Sequence, residues 1–241
     1  MRPIGFSTGA LAKGDFERGL RLQADLPEVR AVELSALRDH ELPALAKAAA
    51  ELALFRFQYV SVHAPSKLGT LGELAIFELL KQLPAAWPIV VHPEILQSPE
   101  LWRSLGSRLC IENMDNRKTA GRTVPELRRQ FEIFPEASFC LDVGHAQQID
   151  PTMAVAILML LEFGPRLRQL HVSEVGPKGE HRALGAMAKA AYSRLASHVP
   201  ESCPIIIESV IAVKAIAAEF EAISRVFDQS LVEAHRSFAF G

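Results

Sequence analysis

The sequence is short of cysteine, of any excess of one charge and of long apolar runs, and each shortage excludes a class of protein. Three cysteines, Cys110, Cys140 and Cys203, are an odd number with neither close pairing nor zinc-ribbon spacing. That excludes a disulfide framework and reads as reduced thiols in a core. Twenty-six basic against 28 acidic side chains leave a formal charge of −2, so electrostatics favours neither nucleic acid nor a membrane as partner. The apolar run MAVAILMLL at 153–161 is far shorter than the roughly 20 residues a spanning helix needs. The N-terminal stretch MRPIGFSTGA has no signal-peptide apolar core, so the expectation is a cytoplasmic protein.

What is present is ordinary in bulk, with 49% hydrophobic and 22% charged residues, and informative in pattern. Short β-branched runs return along the whole chain: IGFS (4–7), AVELS (31–35), YVSVH (59–63), PIVVH (88–92), LCIEN (109–113), FCLD (139–142), LRQLHVS (167–173) and PIIIES (204–209). Helical periodicity lies between them, as in Leu42, Leu45, Ala49 and Leu52, or Ile216, Phe220, Ile223 and Phe227. Asp150-Pro151 reads as an N-cap with proline at the first helical position, and Thr123-Val124-Pro125-Glu126 as a capping box. Strand and helix alternate eight times without a linker or a charge block. The pattern predicts an α/β chain folded as a single (β/α)8 TIM barrel over residues 1–241.

Side chains alternate across a strand, so only one parity can face the barrel interior. Val32 and Leu34 oppose Glu33 and Ser35; Val60 and Val62 oppose Ser61 and His63; Val91 opposes His92. Leu109 and Ile111 oppose Cys110 and Glu112, Leu141 opposes Asp142, Leu170 and Val172 oppose His171 and Ser173, and Ile207 opposes Glu208. The polar set falls almost entirely at C-terminal strand ends, the face where such barrels carry their active sites.

The inward set is Glu33, His63, His92, Glu112, Asp142, His171 and Glu208, with His145 and His181 on the loops after the sixth and seventh runs. Four buried carboxylates among imidazoles would repel and desolvate one another without a shared cation. A divalent metal resolves this, and mixed His and carboxylate donors suit manganese, zinc, cobalt, iron or magnesium alike. Taken singly, Asp142 also reads as a turn N-cap and Glu208 as a buried carboxylate paired with an arginine. His181, in GPKGEHRALG, reads equally as ligand or solvated side chain, whereas His40, His198 and His235 read as solvated.

The order His63, His92, Glu112-Asn113, Asp142-x-x-His145, His171, His181 and Glu208, one set per strand end, resembles the xylose isomerase-like TIM-barrel superfamily. That group holds sugar and sugar-phosphate isomerases and epimerases together with AP endonucleases of the endonuclease IV type. The isomerase branch implies Glu112, Asp142, His171 and Glu208 as ligands of one metal and Glu112 and Glu208 as the proton-moving pair, working through an enediolate. His145 then binds a substrate oxygen. The endonuclease branch implies more metal, with His63, His92, His145 and an Asp-x-His pair as further ligands. Here the last element reads Gly179-Glu180-His181, which puts the third metal in doubt and leaves a second one open.

The expectation is therefore an isomerase or epimerase acting on a small sugar or sugar phosphate. Glu33, His63, His92, His145 and His181 would contact the substrate; nucleic acid and membrane are disfavoured, and a homo-oligomer stays open. A metal-dependent phosphodiester hydrolase and a metabolite-binding barrel without turnover are the alternatives. For the last, loss of a ligand would be the mark, and none of the single-metal set is missing.

Overall fold

The computed structural model describes residues 2–228; His235 and the chain beyond Asp228 lie outside the described residues. Among the described residues there are ten strands: β1 (Ile4–Ser7), β2 (Ala31–Ser35), β3 (Tyr59–His63), β4 (Ile89–Val91), β5 (Leu109–Glu112), β6 (Ser138–Asp142), β7 (Leu167–Val172), β8 (Glu174–Val175), β9 (His181–Arg182) and β10 (Ile205–Ile207). Eight of them close a parallel barrel in the order β1-β10-β7-β6-β5-β4-β3-β2, with helices in the connections. This is the single (β/α)8 barrel that the alternation predicts.

Barrel closure follows from the two-faced strands. The outward residues Val32, Leu34, Val62, Val91, Ile111, Leu141, Leu170 and Ile207 are fully buried. They share one core with helix residues such as Leu42, Leu45, Ile76, Leu80, Leu127 and Ile223. On the opposite parity Val90, Cys110 and Cys140 form a small separate apolar cluster. All three cysteines are free and buried. Among the described residues no helix is long and apolar enough to cross a membrane.

Three local readings change. Asp150 does not start a helix at Pro151: the helix Val143–Ile149 ends against it and the next begins only at Ala154. The Asp150 carboxylate instead accepts from Thr152 N at 2.9 Å and Val155 N at 3.0 Å, with Met153 left-handed at φ 67 between the two helices. Thr123 does cap the helix Val124–Ile133, but the Glu126 carboxylate takes Arg122 N at 2.8 Å and the Arg122 guanidinium rather than the cap's own N–H. The glycine-containing stretch after β7 is an antiparallel hairpin, with Glu174 opposite Arg182 and Val175 opposite His181.

Candidate metal centre

The site grows from the ends of β5 and β6. Glu112 ends β5, and Asn113, the next residue, brackets the Asp142 peptide: its Nδ2 donates to Asp142 O at 2.9 Å and its Oδ1 accepts from Asp142 N at 2.7 Å. Asp142 both ends β6 and caps the following helix, Oδ1 accepting from His145 N at 2.7 Å. The capping reading of Asp142 thus accounts for one of its two oxygens. The other, Oδ2, is buried and has no hydrogen-bond partner. His145 lies beside it at 3.4 Å, but its Nδ1 is directed to Asn113 O at 3.0 Å.

Around this pair the strand ends converge. Glu112 Oε2 lies 3.2 Å from His63 Nε2 and 3.1 Å from His92 Nε2, while Oε1 lies 3.1 Å from His171 Nδ1. Glu208 reaches the same ring, with Oε1 3.5 Å from His171 Nδ1 and Oε2 3.5 Å from His181 Nδ1. Its partners in these contacts are imidazoles rather than the arginine that the single-residue reading supposes. Glu112, Asp142, His171 and Glu208 bring one donor atom each within 4.8 Å of one another, and His63, His92 and Glu112 do the same. Glu112 belongs to both sets.

Burial and charge then act against each other. Burial would raise the Glu112 carboxyl, but His171, His63 and His92 hold it well below the usual carboxylate range. For Asp142 burial wins over His145 and pushes the carboxyl up to about 6, and burial also raises Glu208. Burial lowers His92 to about 4. It also opposes a proton on His63, but Glu112 and the neighbouring glutamates outweigh it and raise that imidazole to about 9. The donor set fits a divalent cation: three carboxylates and the His171 imidazole offer donor atoms within 4.8 Å of one another, and one carboxylate oxygen, Asp142 Oδ2, is buried without a partner.

The expected residues do not all share one position. His63, His92, Glu112, His145, His181 and Glu208 line a cavity of about 490 Å3 at the C-terminal mouth. Asp142 and His171 lie in its wall at 0% exposure. Glu33 does not line it. The register pairs Ser35, not Glu33, with His63, so Glu33 sits one layer deeper, fully buried. Its expected substrate contact is replaced by a bond to His171 Nε2 at 3.0 Å. His181, its side chain 24% exposed, is held by Ser173 Oγ at 2.8 Å, whereas His40 and His198 are exposed.

Several residues escaped the sequence reading. Asp115 is buried beside His145 Nε2 at 3.8 Å and is held by Arg117 in a two-point pair, Nε to Oδ1 at 3.1 Å and Nη2 to Oδ2 at 2.6 Å. Arg117 also donates to Lys178 O at 2.7 Å. Its guanidinium occupies the space a side chain at residue 179 would need: a Cβ on Gly179, at φ +75, would lie 1.7 Å from Arg117 Cζ. The glycine in Gly179-Glu180-His181 is therefore what the Arg117 clasp requires. Tyr59 and Gln169 share the inward parity below the ring with Ser61, a position that strand alternation could have revealed for them as well.

No protein-family model and no curated protein matches the sequence. Solved structures do, and what they share with this chain is the (β/α)8 barrel fold. An AP endonuclease, family 2, from Brucella melitensis is 14% identical with a TM-score of 0.61, the match covering 92% of this chain and 98% of that one. Endonuclease IV from Thermus thermophilus is 22% identical with a TM-score of 0.56, over 96% and 99% of the two chains. A protein from Anabaena variabilis, assigned as a sugar phosphate isomerase/epimerase, is 13% identical with a TM-score of 0.57, over 92% and 88%. At these identities the likeness is one of fold.

Proposed function

We propose that the protein is a metal-dependent enzyme that isomerises or epimerises a small sugar or sugar phosphate. The observation that carries this is the placement of Glu112 and Glu208 in one four-residue donor cluster at the mouth of a cavity of about 490 Å3. That size suits a small ligand. Glu112, Asp142, His171 and Glu208 would hold the ion. A divalent cation bound there supplies Lewis-acid polarisation of a substrate carbonyl or hydroxyl. Glu112 and Glu208 remove and return a carbon-bound proton, so that the reaction passes through an enediolate. His63, His92, His145 and His181 orient the substrate by hydrogen bonds to its hydroxyls.

The cations at the cavity support a small ligand over a polyanion. Arg117 is paired with Asp115, and Lys118 with Glu94 at 2.9 Å, so two of the three basic side chains lining the cavity already have carboxylate partners. A duplex-binding surface needs free phosphate contacts.

A second reading, a metal-dependent phosphodiester hydrolase, is favoured by one observation: His63, His92 and Glu112 form a further donor set that shares Glu112 with the first. Two cations in that arrangement would suit phosphoryl chemistry. The readings separate when metal-loaded protein is incubated with a panel of ketoses, aldoses and their phosphates and, in parallel, with a duplex carrying an abasic site. Sugar conversion that Glu208→Gln abolishes is the expected result. Metal-dependent nicking of the duplex with no sugar converted would reverse the ranking.

A further inference from the structure

We infer that Glu33 is a positioning residue that selects which nitrogen of His171 faces the metal centre. This rests on the reading of Glu112, Asp142, His171 and Glu208 as a metal site, and it concerns the layer beneath them. His171 bridges two layers: Nδ1 points up to Glu112 Oε1 at 3.1 Å, and Nε2 points down to Glu33 Oε2 at 3.0 Å. Glu33 and His171 are both 0% exposed, so bulk solvent reaches neither side chain.

Two tautomers compete at Nε2. Tyr59 OH donates to Gln169 Oε1 at 2.7 Å, which turns the Gln169 amide so that its Nε2 faces Glu33 Oε2 at 2.8 Å and His171 Nε2 at 2.7 Å. Were His171 Nε2 to accept from Gln169, the ring proton would sit on Nδ1 and close that atom to a cation. Were His171 Nε2–H to donate to Glu33, Nδ1 would present its lone pair to the centre. The Glu33 carboxylate decides, because a charged acceptor makes the stronger hydrogen bond. Ser61 Oγ, donating to the same Oε2 at 3.1 Å, holds that oxygen in place, while Glu33 Oε1 has no partner. A metal-ligating histidine commonly gives its other N–H to a carboxylate, which fixes ring and tautomer together.

The test is Mn2+ affinity by chelator competition, with the melting temperature of metal-free protein measured alongside. Glu33→Gln is expected to weaken Mn2+ binding about 10–100-fold. The double variant Glu33→Gln/Gln169→Glu, which returns a carboxylate to His171 Nε2 from the neighbouring position, is expected to recover most of that loss. The recovery keeps the test decisive if the single variant folds poorly. Long-range 1H–15N spectra of Zn2+-loaded wild type should show the His171 proton on Nε2. Wild type that takes up no Mn2+ would overturn the metal reading itself. Wild type that binds while Glu33→Gln binds equally well, or a Zn2+-loaded His171 protonated on Nδ1, would overturn the role of Glu33 alone.

Discussion

Gly144 shows at the scale of one residue why a carboxylate and an imidazole can follow each other so closely at the end of β6. A Cβ there would lie 2.6 Å from Ser173 O and 2.5 Å from a Val175 methyl, so only glycine lets the helix that starts after Asp142 lie against the end of β7. Gly144→Ala should destabilise the fold by about 1–3 kcal/mol through overpacking and shift His145, seen as a lower melting temperature and weaker Mn2+ binding. Glu208→Gln should behave differently. It keeps the volume and removes the proton acceptor, so turnover on an identified substrate should fall by about 10²–10⁴-fold with the melting temperature unchanged. The strand ends that converge on Glu112 were legible because parity assigns each side chain a face. Depth was not legible: the stagger of β2 against β3, which places Ser35 rather than Glu33 beside His63, depends on barrel closure and leaves no local mark in AVELS. Asp115 was missed for a related reason, since a loop has no period to read, and the same lack left Arg117 read as an exposed basic residue rather than as the partner of Asp115.

Elements hold these residues through contacts behind the strands and across the loops. Phe139 on β6 is fully buried against Phe131 at 6.0 Å and Phe163 at 5.7 Å between ring centroids, so two helices hold the strand that carries Asp142. Phe139→Ala should cost about 3–5 kcal/mol, checked by denaturant unfolding. Asp39, in the loop after β2, accepts from Gly69 N at 3.1 Å and from Thr70 and Leu71, tying that loop to the one after His63. Its carboxyl is held below the ordinary value, first by the Leu71 N–H. The stability it contributes is therefore complete above the unfolded pKa of about 3.9 and is lost as pH falls through the lower folded value. The melting-temperature advantage of wild type over Asp39→Asn should be present at pH 7 and vanish on acidification past that value. The eight barrel strands were readable from their β-branched runs, whereas the start of the helix at Ala154 was not. Asp150 has the chemistry of a cap, but the preceding helix runs up to it, and a local signal cannot say which of two helices it serves.

Across the whole molecule, a near-neutral chain of 241 residues concentrates much of its buried charge at one end of the barrel. Four carboxylates, Glu33, Glu112, Asp142 and Glu208, and five imidazoles gather there, linked by contacts from His63, His92, His145, His171 and His181. Such an arrangement is costly unless a cation completes it. The most direct measurement is a crystal structure of the protein soaked with Mn2+, with anomalous scattering recorded at the manganese edge. A peak roughly 2.0–2.3 Å from donor atoms of Glu112, Asp142, His171 and Glu208 is the expected result. An empty cluster, or a peak elsewhere with these four side chains turned apart, would contradict the assignment.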